Sequence, residues 1–70
     1  MANPSQRVAV NLRDADLDRL KEVADANRLT RNDAIRKALA TEAFVQRELK
    51  AGHKILIEDE KGNIRQVEFV

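Results

Sequence analysis

Residues 7–12 read Arg7-Val8-Ala9-Val10-Asn11-Leu12, with Val8, Val10 and Leu12 alternating against Arg7, Ala9 and Asn11. A period of two is the signature of a β-strand with one apolar face. The chain then passes through Arg13-Asp14 straight into a helix-patterned stretch, with no hairpin turn to bring back a neighbouring strand. A strand needs hydrogen-bonding company along its length. Two solutions are open. The strand can join the C-terminal part of its own chain in a three-stranded sheet, or it can pair with the same strand of a second copy across a two-fold axis.

The size of the chain bears on that choice. Seventy residues form one small domain that buries only about 60% of its unfolded surface, close to the limit for an independent fold. No Cys is present and His53 is the only His, so neither disulfides nor a structural metal can staple it. Self-association would repair the small core.

Asp14 reads as the N-cap of a helix from about residue 15 to 26, with Asp16 and Asp18 in its first turns. Leu17, Leu20, Val23 and Ala24 recur at helical spacing between charged residues, and Asn27 is the residue expected to turn left-handed and end the helix. Thr30 opens a second helix, with Asp33 three residues on, and Gly52 stops it. Ala34, Ile35, Ala38, Leu39, Val45 and Leu49 share one side. Glu42 falls inside that stripe, as an ion-pair partner for Arg36 or Arg47 of the partner subunit or as the site of a bend. Phe44 falls opposite Ile35. The tail, with strands over residues 54–58 and 64–70 around the Gly-containing loop at 59–63, has the punctuation of a β-hairpin and is the expected cover for Phe44. The order is strand, helix, helix, hairpin, a mainly α, α+β chain. It divides into a polar arm (1–5), a body (6–52) and a hairpin extension (53–70).

If two copies share the first strand, symmetry and groove dimensions follow. The helices of both copies close over Val8, Val10 and Leu12, with Leu20, Ile35, Ala38 and Leu39 completing the dimer core. The opposite face of the two-stranded ribbon presents Arg7, Ala9 and Asn11 twice, and such a ribbon fits the major groove of double-stranded DNA. Arg pairs in bidentate fashion with guanine, Asn with adenine, and an alanine methyl can meet thymine.

The run Arg7-Val-Ala-Val-Asn-Leu12, then Asp14…Leu17-x-x-Leu20-x-x-Val23-Ala24, then Leu29-Thr30-x-Asn32…Ile35-x-x-Ala38-Leu39, resembles the ribbon-helix-helix family of repressors, to which the Arc and methionine repressors belong. The likeness covers residues 6 to 46. It implies an intertwined homodimer with a two-stranded antiparallel intermolecular ribbon, Arg7, Ala9 and Asn11 as base readers, and Thr30, Arg31 and Asn32 clamping a DNA phosphate. That clamp suits a helix N-terminus, whose free N–H groups and dipole favour an anion. Arg13 is a further phosphate contact or a plain surface charge. The expected function is a cytoplasmic transcriptional repressor, prokaryotic, plasmid or phage encoded, with assembly beyond the dimer on DNA left open. The sequence departs from the family at Arg28, often Gly there, at Glu42, often apolar, and at Ala9, usually a hydrogen-bonding residue.

Charge follows the same division. Residues 1–13 carry +2, 14–29 carry −2, 30–54 carry +3 and 55–70 carry −2, for a net of +1. The basic excess sits on the parts that would face phosphates, and the low total implies a shallow salt dependence. Two Phe and no Trp or Tyr leave few platforms for stacking unpaired bases. There is no Cys nucleophile, no Ser/His/Asp set and no phosphate-binding glycine loop, so catalysis and cofactors are not expected. The Asp59–Gly62 loop fails the spacing of a calcium loop and reads as turn chemistry. No apolar run is long enough for a bilayer, and the chain reads as soluble. Two alternatives remain: an antitoxin whose C-terminal segment binds a toxin, and a monomeric scaffold with three strands in one sheet.

Overall fold

A computed structural model describes residues 4–69; part of the expected arm, residues 1–3, and Val70 lie outside the described residues. Helix α1 spans Asp14–Asn27 and helix α2 spans Arg31–Lys50, followed by strands β1, Leu56–Glu58, and β2, Ile64–Gln66. The protein is therefore mixed α and β, with its only sheet, among the described residues, after the helices. Residues 7–12 belong to no sheet, and the sheet that exists has two strands. The three-stranded, single-chain solution is not the one adopted. A strand alone cannot satisfy its own N–H and C=O groups, so the alternating pattern at 7–12 makes no ladder within one chain.

The chain divides into two compact units, one running to Ala34 and the other from Ile35. In the first unit α1 begins one residue earlier than Asp14 as N-cap would require. Arg13 is the cap, in extended conformation. Its carbonyl accepts from the N–H groups of Asp16 and Leu17 at 2.9 and 3.0 Å, and the Asp16 carboxylate reaches back to the Arg13 N–H at 3.2 Å. The Asp16 carboxylate satisfies the Arg13 N–H, the reciprocal half of a capping box, and Asp14 falls inside the first turn.

The other end of α1 also differs by one residue. Asn27 stays helical, its side-chain amide donating to the Val23 carbonyl at 2.8 Å, and Arg28 takes the left-handed conformation at φ 53°, ψ 47°. Leu29 N–H then donates to Ala24 O at 2.8 Å and Arg28 N–H to Asp25 O at 3.3 Å, the paired bonds of a Schellman turn. The reversal thus falls on Arg28, one residue after the expected position.

Thr30 caps α2 as its sequence position requires. Its hydroxyl accepts from the Asp33 N–H at 3.1 Å, and its carbonyl takes the first helical bond, from Ala34 N–H, at 2.9 Å. Alanines 24 and 34 are the only buried apolar residues among those described, at 7% and 0% exposure, and no large side chain is fully buried.

In the second unit α2 runs without interruption through Glu42, whose carboxylate accepts from Gln46 at 2.9 Å. It ends in a second Schellman turn. Gly52 sits at φ +86°, where a Cβ would be strained; its N–H donates to Leu49 O at 3.0 Å, and His53 N–H to Glu48 O at 3.0 Å. The hairpin pairs Leu56 with Gln66, Ile57 with Arg65 and Glu58 with Ile64, and Val67 N–H to Ile55 O at 2.8 Å adds one more rung. The strands are thus shorter than the alternating sequence on either side. The loop is closed by Asp59: its carboxylate accepts from the N–H groups of Lys61 and Asn63, both at 2.9 Å, and from the Asn63 amide at 3.2 Å. Those donors hold the Asp59 carboxyl below its usual pKa, the Asn63 N–H contributing most. Neither strand packs against the Phe44 turn of α2, and Phe44 stays 48% exposed. The expected cover is not made within one chain: the helix ends in the turn at Gly52, residues 51–55 lead away to the hairpin, and neither strand contacts α2.

Candidate nucleic-acid interface

The proposed base readers Arg7, Ala9 and Asn11 lie on the segment that leads into α1, and all three are exposed. So is the apolar set between them: Val8 is 79% exposed, Val10 68% and Leu12 42%. Both faces of this segment therefore meet solvent in one copy of the chain, although one of them is made of β-branched and aliphatic side chains. Isolated apolar residues on a surface need no explanation, but three at strand spacing form a stripe that calls for a cover. Of the remaining expected core residues, Ile35 is 40% and Leu39 64% exposed, Ala38 is exposed, and Leu20 is half-buried.

The residues of the expected phosphate clamp, Thr30, Arg31 and Asn32, sit at the start of α2. Because the first i→i−4 bond of α2 runs from Ala34 to Thr30, the N–H groups of Arg31 and Asn32 precede the helical ladder and point out of its end. Thr30 is committed to the Asp33 N–H through its hydroxyl oxygen, which leaves the hydroxyl proton to donate outward. Helix α2 adds its positive dipole end and the Arg31 side chain. Arg13 is the N-cap of α1 through its backbone, with its guanidinium in no ion pair among the described residues. No hydrogen bond joins the reader segment to the clamp among those described, so in one copy they are two separate sets of exposed polar groups.

Leu29, quoted above only within the family motif, has a packing role that the sequence left unassigned. It follows the left-handed Arg28 and is half-buried, and with Leu17 and Ala24 it forms the apolar floor of an open groove of roughly 440 Å³ in the first unit. Asp18, Lys21, Asp25 and Arg31 line the rest. Lys21 and Asp25 pair across one turn of α1 at 2.9 Å, which raises the Lys21 pKa through that hydrogen bond. As an exposed i,i+4 pair it adds little to stability. The signal for Leu29 was available: a hydrophobic residue just past a left-handed helix terminus folds back onto the last turns.

No family model, curated protein or solved structure matches this chain. Among the described residues no helix is long and apolar enough to cross a membrane.

Proposed function

We propose that this chain is a homodimeric, sequence-specific DNA-binding protein that represses transcription, reading the major groove with a ribbon formed by residues 7–12 of two copies. The observation that carries the reading is the Val8, Val10 and Leu12 stripe, exposed and without a partner strand in its own chain, immediately before the cap of α1. A second copy supplies the missing strand by symmetry, and with it the backbone partners and the apolar cover that one copy lacks. The ribbon then turns Arg7 and Asn11 toward base edges, with Ala9 offering only a methyl, so specificity rests on two hydrogen-bonding readers per copy. The open N-terminus of α2 suits a phosphate of the flanking backbone. A hairpin with its own ladder and an Asp59-closed loop weighs against a tail that orders only on a toxin.

The test has two parts. Sedimentation at micromolar concentration returns a dimer mass, and a duplex selected from a random pool provides the cognate site. Against that site Arg7→Ala and Asn11→Ala each weaken binding by about 1–3 kcal/mol while the dimer dissociation constant stays unchanged. A monomer in the first experiment, or normal binding by both variants in the second, overturns the proposal.

A further inference from the structure

We infer that the outer edge of β1 pairs antiparallel with the same edge in a second copy of this chain, the two-fold axis passing beside Leu56. The contact uses a surface apart from residues 7–12 and does not rest on the ribbon reading.

The hairpin register decides which backbone groups are free. Val67 N–H donates to Ile55 O at 2.8 Å and Asp59 N–H to Asn63 O at 2.9 Å, with Ile57 opposite Arg65 between them. In an antiparallel ladder the bonded pairs recur at every second residue, so Ile55, Ile57 and Asp59 are the residues bonded across to the other strand. Leu56 and Glu58, opposite Gln66 and Ile64, therefore turn their N–H and C=O groups outward. β1 contacts no element but β2 among the described residues, and all three of its residues are exposed.

An open edge accepts another strand, and its side chains decide which one. The run Lys54-Ile55-Leu56-Ile57-Glu58 is complementary to itself when reversed. With Leu56 opposite the partner's Leu56, Ile55 meets the partner's Ile57 and Lys54 meets the partner's Glu58. The backbone agrees with this register. Leu56 and Glu58 present outward groups, so Leu56 with its twin and Lys54 with Glu58 become the bonded pairs, and Ile55 with Ile57 the closer non-bonded pair. Every pair is apolar with apolar or ammonium with carboxylate, and symmetry forms the charged pair twice. Neither Lys54 nor Glu58 has an ion pair among the described residues of its own chain. Moving the axis to Ile55 or Ile57 sets Leu56 against Lys54 or Glu58 instead.

The other charges of the hairpin fit the same sheet. By alternation Lys54, Leu56 and Glu58 share a face with Ile64, Gln66 and Glu68. Continuing the register puts Glu68 across from Lys54 in its own chain, so each Lys54 lies between that carboxylate and the partner's Glu58. Arg65 lies on the opposite face, on the strand away from the join, and the Asp59 carboxylate is held by the loop. The edge of β2 has no such match. An axis at Arg65 sets that guanidinium against its own copy, and an axis at Gln66 sets Ile64 against Glu68. Joining the two β1 edges turns two marginal two-stranded sheets into one of four strands.

Amide exchange followed residue by residue by NMR on the full chain reads the edge directly. A lone hairpin protects Ile57 and leaves the Leu56 and Glu58 amides open to water. In the joined sheet Leu56 and Glu58 exchange at least about tenfold more slowly than in an unstructured chain. Free exchange at both, or protection at Ile64 and Gln66 in their place, overturns the inference. A charge exchange tests the register. Lys54→Glu and Glu58→Lys each set like charges opposite one another twice, and each loses protection at Leu56 by about three- to tenfold while Ile57 stays protected. Mixed in equal amounts the two variants regain it, because the mixed pair again sets carboxylate against ammonium. Unchanged protection in the single variants, or no recovery in the mixture, refutes the contact. A dimer with the Leu56 and Glu58 amides unprotected removes this contact and leaves the ribbon reading standing, whereas a monomeric wild type removes both.

Discussion

Replacing Arg28 by Gly should stabilise the protein, and the reason is conformational. Arg28 holds φ 53°, ψ 47°, the one left-handed non-glycine position among the described residues, and its backbone serves the Schellman turn that ends α1. An L-residue in that region carries about 1–2 kcal/mol of steric penalty between Cβ and its own carbonyl. Glycine has no such penalty but has more freedom to lose from the unfolded chain, about 0.4–1 kcal/mol. The Arg28 side chain forms no hydrogen bond or ion pair among the described residues, so its removal breaks no side-chain contact there; it forgoes a cation beyond a helix with no basic residue in its last turn, about 0.3 kcal/mol. The balance is a gain of roughly 0.5 kcal/mol per chain, or on the order of 2–4 °C in melting temperature for a domain of this size. Arg28→Ala is the control, because it loses the charge and keeps Cβ, and it should fall slightly below the wild type. Thermal unfolding followed at 222 nm, at equal protein concentration, ranks the three as Gly above Arg above Ala. If Ala matched Gly, side-chain charge and not backbone strain would govern this position. If Gly fell below wild type, the left-handed geometry itself would be in error.

Thr30→Ala removes the acceptor for the Asp33 N–H and should lower stability by about 1 kcal/mol per chain, with Thr30→Ser restoring it; chemical denaturation measures both. On the DNA-binding reading the same variant loses affinity equally for cognate and random duplexes, which a competition titration separates from base-specific loss. Acid should loosen the hairpin loop. Because the folded Asp59 carboxyl lies below its unfolded value of 3.8, its contribution is fully present above that value and is lost as pH falls through the lower folded pKa. Amide exchange at Lys61 and Asn63 should therefore accelerate below about pH 4. Asp59→Asn should show no such acid step, and a step persisting in that variant would assign it elsewhere.

Local chemistry made much of this protein legible before any coordinates. Thr30 with Asp33 marked the start of α2 and Gly52 its end, and both positions hold because capping needs only neighbours three or four residues away. The hairpin followed from alternation around a Gly-containing loop, and Asp59 closing that loop is likewise a matter of a few residues. Where a side chain could choose between equivalent local bonds, pattern alone missed by one residue. Asp16 bonded back to Arg13 and displaced Asp14 as the cap, and Asn27 satisfied Val23 and passed the left-handed turn to Arg28. The expected readers and clamp rest on residue types at a spacing; the structure adds that residues 7–12 are exposed and that the N-terminus of α2 is open.

What the sequence determined by itself, then, is the set of helices, their caps and the hairpin, because those depend on hydrogen bonds that close within one or two turns of chain. Only the tertiary structure decided that a single copy leaves Val8, Val10, Leu12, Leu39 and Phe44 open to solvent and buries no apolar residue but two alanines among those described. Burial is a property of what comes together from distant parts of the chain. Here the distant parts of one chain do not supply it.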